Sequence, residues 1–574
     1  MTKQVSTIFS SILLILAFGL RIAVAETPST QPAATPSTDL LAQAQKGDAA
    51  SMDALGSYYA DHKDYQQAFY WFQKSAQGGN SDAMSGVGWC YDNGKGVPED
   101  SRQAFIWYQK SAAAGSANGM YDLGLSYRDG SGITKDYAQA VKWLQKAAAL
   151  GEADAMDSLG KCYANGEGVA QNYQQAFDWY TKSAQAGSSN GMIDVGFSYD
   201  YGHGVPQDGN QAIYWYQKAL ADGNSQAAYC LGQHYENVDD YTQAMNWYQK
   251  AITMGNADAN GALGYLYYYG MGIPRNLAKA LKLFKQGAAE GDPFSMAYAG
   301  FCYDNGYSVH KDPVIAFEYY KLAADNGIVF VDQLIGWDYQ YGSGVKRNIQ
   351  QAIAWYEKGA AQGSMTAMDY LGTCYQKGIG VKKDLQQAIY WYLKAAQLAD
   401  EFQNSDSSSD NPDWQMDTDV LVKLGQFYLR GNGVPQDYKK AVHCFQLAAN
   451  NDDDNGMFHL GLCYQNGQGV QQDMQQAIIW YEQAADQKNS QAMQHLGMIY
   501  QQGNGVPEDD AQAVKWFQKA ANAGGVMAMY DLGMCYLNGQ GVDVNQDIAI
   551  KWFKKAAAHG NAKAQQELQQ LDAQ

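Results

Sequence analysis

Along most of this chain, apolar residues recur at i, i+3, i+4 and i+7, the spacing of one helix face. The stretches with this spacing come in pairs, separated by glycine turns. One copy reads Ala155-Met-Asp-Ser-Leu159-Gly160-Lys-Cys162-Tyr163-Ala-Asn-Gly166-Glu-Gly168-Val169, then Gln174-Gln-Ala176-Phe-Asp-Trp179-Tyr180-Thr-Lys-Ser-Ala184. The first stretch predicts a helix from Ala155 to about Ala164. It closes at Asn165-Gly166, where glycine can take the left-handed conformation that ends a helix. A Gly-x-Gly-Val turn follows, as at Gly94–Val97, Gly202–Val205 and Gly503–Val506, with Pro98, Pro206 or Pro507 next. The second stretch predicts another helix, closing on a second glycine such as Gly115, Gly151 or Gly187.

The unit returns fourteen times. Its anchor glycine falls at Gly56, Gly88, Gly124, Gly160, Gly196, Gly232, Gly264, Gly300, Gly336, Gly372, Gly425, Gly461, Gly497 and Gly533. Most steps are 36 residues, two are 32 and one is 53. A fixed period of this size marks stacked helical hairpins, and a single hairpin cannot bury its own apolar face. Trp71, Trp107, Trp143, Trp179, Trp215, Trp247, Trp355, Trp391, Trp480, Trp516 and Trp552 share one register of the second helix. Repetition in one register predicts core pillars rather than eleven binding sites. Leu-Gly in the first helix and Ala147-Ala148 or Ala520-Ala521 in the second predict closely packed helices.

These residues resemble the Sel-one-like repeat (SLR), a family related to tetratricopeptide repeats. Its motif is A-x-A-x-x-x-L-G-x-x-Y-x-x-G-x-G-V-x-x-D-x-x-K-A-x-x-W-Y-x-K-A-A-x-x-G. The resemblance implies an all-α fold, an α/α solenoid wound as a right-handed superhelix of about 14 helix-turn-helix repeats. It covers residue 40 onward. The units at Gly56 and Gly232 lack the Gly-x-Gly-Val insertion, and Leu283, Tyr319 and Cys444 replace the tryptophan elsewhere. The expected organisation is a signal peptide at 1–25, a Pro/Thr-rich linker at 26–38 and repeats in two blocks of five at 39–398. A polar insertion follows at 399–417, containing Ser407-Ser408-Ser409-Asp410 and expected as a loop, then four repeats at 418–560 and a C-terminal cap helix at 561–574.

Charge narrows the partners. The formal charge is −19, and −21 once Lys3 and Arg21 are lost with the first 25 residues. Phosphate-rich nucleic acids and anionic membranes repel such a chain. Lys3, the apolar run Ile8–Leu20 and Ala23-Val24-Ala25 predict a cleaved secretory signal, hence a periplasmic or secreted protein with no membrane span left after cleavage. Cys90, Cys162, Cys302, Cys374, Cys463 and Cys535 each sit two residues after an anchor glycine, which suits a small apolar filler. Cys444 with Cys463 is the one pairing that adjacent helices allow.

Catalytic and metal patterns are missing. None of the eight histidines makes a His-x3-His pair, and no cofactor motif is present. Ser308-x-x-Lys311 and Ser343-x-x-Lys346 fall in turns after the first helix, without the companion motifs of penicillin-active proteins. Some SLR proteins carry a penicillin-hydrolase label, so a β-lactam or peptidoglycan hydrolase is the alternative reading. The leading one is a non-enzymatic interaction scaffold, serving host contact or cell-envelope complexes. In tetratricopeptide-like folds the first helix lines the concave face. The residues after the anchor glycine include Trp89, Phe197, Tyr265, Phe301 and Trp337, and those three before it include Tyr121, Tyr229, Phe458 and Tyr530. With Asp92, Asp200 and Asp304 one turn on, they predict a continuous aromatic and acidic groove. It suits a protein or peptide ligand, a basic one above all, or a cell-wall glycan or cell-wall enzyme.

Overall fold

The computed structural model describes residues 36–404 and 418–572. The signal peptide, most of the linker and the core of the polar insertion lie outside these residues. Among them the regular elements are thirty α-helices and one short 3-10 turn, Val329–Val331, with no strand. Within each of two compact units, helices pair within a repeat and then with those of the next, which makes an all-α solenoid. Two compact units are distinguished, one ending at Ser295 and the other starting at Met296. That division falls inside a repeat, away from the block edges suggested by the sequence.

One repeat shows why these residues fold so. The helix Ala153–Asn165 ends on Gly166 at φ +73°, and Gly168 at φ +74° lies so close to the backbone of Tyr137 that a Cβ would collide with it. The chain then returns, with the Asn172 N–H donating to the Tyr163 carbonyl at 2.8 Å. Asn172 caps the helix Tyr173–Gln185, its side chain accepting from the Gln175 N–H at 3.0 Å. Such a cap is worth about 1 kcal/mol. Where the turn is short, Lys63 and Asp239 take the left-handed conformation instead of glycine, at φ 62° and 61°.

The anchor glycine is a seat for a ring. A Cβ added at Gly88 would stand 2.5 Å from the Tyr108 ring, one at Gly264 2.7 Å from Phe284, and one at Gly461 2.7 Å from Tyr481. The contact recurs in all fourteen repeats, made by thirteen rings and, at Gly124, by the Leu144 side chain: Phe72, Tyr108, Leu144, Tyr180, Tyr216, Tyr248, Phe284, Tyr320, Tyr356, Tyr392, Phe445, Tyr481, Phe517 and Phe553. None of these side chains is more than 7% exposed.

This corrects the tryptophan pillars. The buried pillar is the residue after each tryptophan, and the eleven tryptophans themselves are half-buried. The line Ala176, Tyr180, Ala184 steps by four along the buried face, and Trp179 lies one residue off it. In nine of the eleven a lysine three residues on covers the ring: Lys110 over Trp107 at 4.0 Å, Lys146 over Trp143 at 3.7 Å, Lys182 over Trp179 at 4.0 Å. The pattern continues at Trp215, Trp247, Trp355, Trp391, Trp516 and Trp552.

All eight cysteines are buried and none forms a disulfide, so Cys444 and Cys463 are not bridged. Burial pushes the thiol of Cys90 up to about 12 and those of Cys374 and Cys463 to about 11, which keeps them unreactive. Three ends differ from expectation or extend it. The helix Leu385–Asn404 carries the first residues of the insertion in helical form. A helix Thr38–Gln45, capped by Ser37, packs against Ala49–Asp61 ahead of the first full repeat. The helix Ala562–Asp572 covers the last repeat, burying Ala564.

Candidate partner-binding face

The setting of the residue after each anchor glycine differs between repeats. In the unit ending at Ser295, Trp89 is half-buried, 6.2 Å from the Tyr65 ring. Phe197 is half-buried against Tyr201 at 4.4 Å and His203 at 5.6 Å, and Tyr173 stacks on His203 at 4.7 Å. Tyr121 is half-buried, its phenol pushed up to about 12 by burial and then by the charge of Asp154. Asp92 is half-buried and its carboxyl is raised by burial, then by Glu99 and Asp129.

Three expected groove residues of this unit are not surface groups. Tyr229 is fully buried, its hydroxyl accepting from Gln233 at 3.1 Å. Tyr265 is 4% exposed, packed on Tyr269 at 4.5 Å and Phe294 at 6.1 Å. Asp200 is buried and pairs with His234 Nδ1 at 2.6 Å, with the Tyr216 hydroxyl donating to it at 3.4 Å. The next repeat covers each of them, and periodicity within one helix does not register that neighbour.

The line is also interrupted. Lys161 holds the register of Trp89 and Phe197, and it lies between Asp157 at 2.6 Å and Asp194 at 3.3 Å. Burial disfavours the Asp194 carboxylate strongly, while Lys161 opposes that shift. The aromatic groups are therefore separate patches within this unit rather than a continuous stripe.

In the unit from Met296, Phe301 and Asp304 are half-buried, and Phe301 stacks on Phe330 at 6.1 Å. Trp337 is 38% exposed and Tyr341 61%, with ring centroids 4.8 Å apart. Further along, Phe458 is buried against His495 at 5.2 Å, and Tyr530 is half-buried. Tyr201, Tyr269 and Tyr341 were not expected at this face. Their signal is an aromatic four residues after an aromatic, repeated at Phe197, Tyr265 and Trp337.

Ser308 and Ser343 lie in turns, Ser343 donating its N–H to the Asp338 carbonyl at 3.0 Å, with Lys346 exposed. Among the described residues, no three His, Cys, Asp or Glu side chains gather as a metal site, and no helix is long and apolar enough to cross a membrane.

The Sel1 repeat model matches fourteen consecutive segments, from 49–80 to 526–561, one for each anchor glycine. The chain belongs to the Sel1 repeat family. Similar solved structures include a protective antigen present in uropathogenic Escherichia coli strains displaying an SLR fold. It shares 29% identity over 88% of this chain and 98% of that one, with a TM-score of 0.45. A Sel1 repeat protein from Oxalobacter formigenes shares 29% identity over 57% of this chain and 90% of its own, with a TM-score of 0.42. No curated protein matches. Sel1 repeat proteins generally mediate protein–protein interaction, and the family is generally a non-catalytic scaffold type.

Proposed function

We propose that this Sel1 repeat protein is an exported, non-enzymatic scaffold that holds a protein partner on the aromatic patches of its first helices. The exposed pair Trp337 and Tyr341 carries this reading. Two large rings left in water side by side on one first helix suit an interface anchor. A photo-reactive phenylalanine analogue placed at 337 in the native host is expected to trap one defined partner. The same analogue at Tyr390, 52% exposed on a second helix, is expected to trap none. Equal adducts at both positions, or none at 337, would remove the reading.

Export rests on Lys3, the run Ile8–Leu20 and Ala23-Val24-Ala25. The mature chain isolated from its host is expected to begin at Glu26 and to fractionate with the periplasm or the medium. A cytoplasmic protein still beginning at Met1 would contradict this. Partners of the cell envelope, or of a host surface, follow from that placement.

A further inference from the structure

Two positions touch between successive first helices: the fourth residue after one anchor glycine and the second after the next. In the unit ending at Ser295 they hold Asp200 and His234, joined at 2.6 Å. In the unit from Met296 they hold Asp304 and Asp338, with an acid where the histidine stands. Asp338 is buried, and burial together with the charge of Asp304 lifts its carboxyl to about 7. Asp304 has an ion pair with Lys311, but at 3.8 Å and with a lysine side chain 61% exposed. Such a contact offsets little charge.

One residue before the buried Asp338 the chain exposes a ring, and three residues after it another. Nine of the eleven second-helix tryptophans have a lysine of their own chain over the ring, as Lys146 covers Trp143 at 3.7 Å. Trp337, next in sequence to Asp338, has no such cover among the described residues, nor has Tyr341. The chain thus repeatedly matches a tryptophan with a cation, and leaves the match open at Trp337, where the nearby acids have only the long, exposed contact of Lys311.

We propose that Trp337, Tyr341 and Asp304 form a receptor for an arginine side chain of a partner polypeptide. The inference rests on the scaffold reading above. Arginine fits better than lysine, because a planar guanidinium stacks on a ring face while its edge pairs with a carboxylate. The apolar stem lies along the rings. A chain of charge −19 also draws a basic segment in from a distance.

The test uses the full chain and a fluorescent nonapeptide of glycine, serine and three arginines, followed by anisotropy. A citrulline version keeps the shape and removes the charge. The arginine peptide is expected to bind and the citrulline peptide to bind at least about tenfold more weakly. Trp337→Leu keeps the bulk but loses the ring, and is expected to weaken binding about fivefold or more with an unchanged melting curve. Asp304→Asn is expected to weaken it further than Asp325→Asn, which removes the same charge from the exposed end of a second helix. Equal binding of both peptides, or a Trp337→Leu variant as good as the wild type, would overturn the receptor. A partner trapped at 337 by a chain that ignores the arginine peptide would also overturn it, while leaving the scaffold in place.

Discussion

Tyr180→Ala is expected to destabilise the protein by about 4 kcal/mol, and Trp179→Ala, one residue earlier, by about half as much. Emptying a buried aromatic site costs about 3–5 kcal/mol. The Tyr180 ring is 7% exposed and seated on Gly160, where nothing else can fill the space. Trp179 is half-buried, and its loss removes part of a contact plus the cover of Lys182 at 4.0 Å, worth about 0.5–1 kcal/mol. Thermal or denaturant unfolding of the two variants decides. The reverse order would return the pillar role to the tryptophan. Because repeats couple chiefly to neighbours, hydrogen exchange is expected to quicken mainly between 117 and 224.

The melting temperature is expected to rise as pH falls from 9 to about 6. Burial lifts the carboxyls of Asp122 and Asp292 to about 7 and of Glu236 to about 8, and Asp338 to about 7 with help from Asp304. An acid raised in this way binds its proton more tightly when folded. Its stabilisation is whole below the unfolded value near 4 and is lost as pH climbs through the folded value. Each pH unit between the two is worth about 1.4 kcal/mol, so several such groups make a large effect. Histidines pull the other way at the acid end. Burial lowers His459 to about 4 and also lowers His203 and His495, so each withdraws stability as pH falls below 6.5. The optimum therefore lies in mild acid. Glu236→Gln still accepts from the Tyr248 hydroxyl, now at 2.5 Å, and is expected to flatten the alkaline side. A melting temperature unchanged between pH 9 and 6 would refute the assignment.

The repeat, its turns and its close helix contact were legible because each depends on residues a few positions apart. Gly160 announces close approach, and Gly166 announces a helix end. What sequence leaves open is which of two adjacent aromatics approaches the glycine. Trp179 and Tyr180 both suit a core, and only the alanine line Ala176–Ala184 with Lys182 tells them apart. The register of the expected groove residues was legible, but their exposure was not. Asp200 meets His234 and Lys161 meets Asp194 across neighbouring repeats, and a pattern read within one helix carries no information about that second helix. The helix Thr38–Gln45 was hidden by the proline-rich composition just before it.

Each ring and the glycine that seats it come from the same repeat. A cut between repeats severs none of these seats, and a copied or deleted stretch of 36 residues leaves every remaining ring in place. Recombination within the gene can therefore lengthen or shorten the protein in a single step and still yield a folded product. Natural selection acts on such a chain as on a ruler whose divisions are fixed and whose length is free. Sister proteins are expected to differ by whole divisions, keeping the glycine while the residue after it varies with the partner.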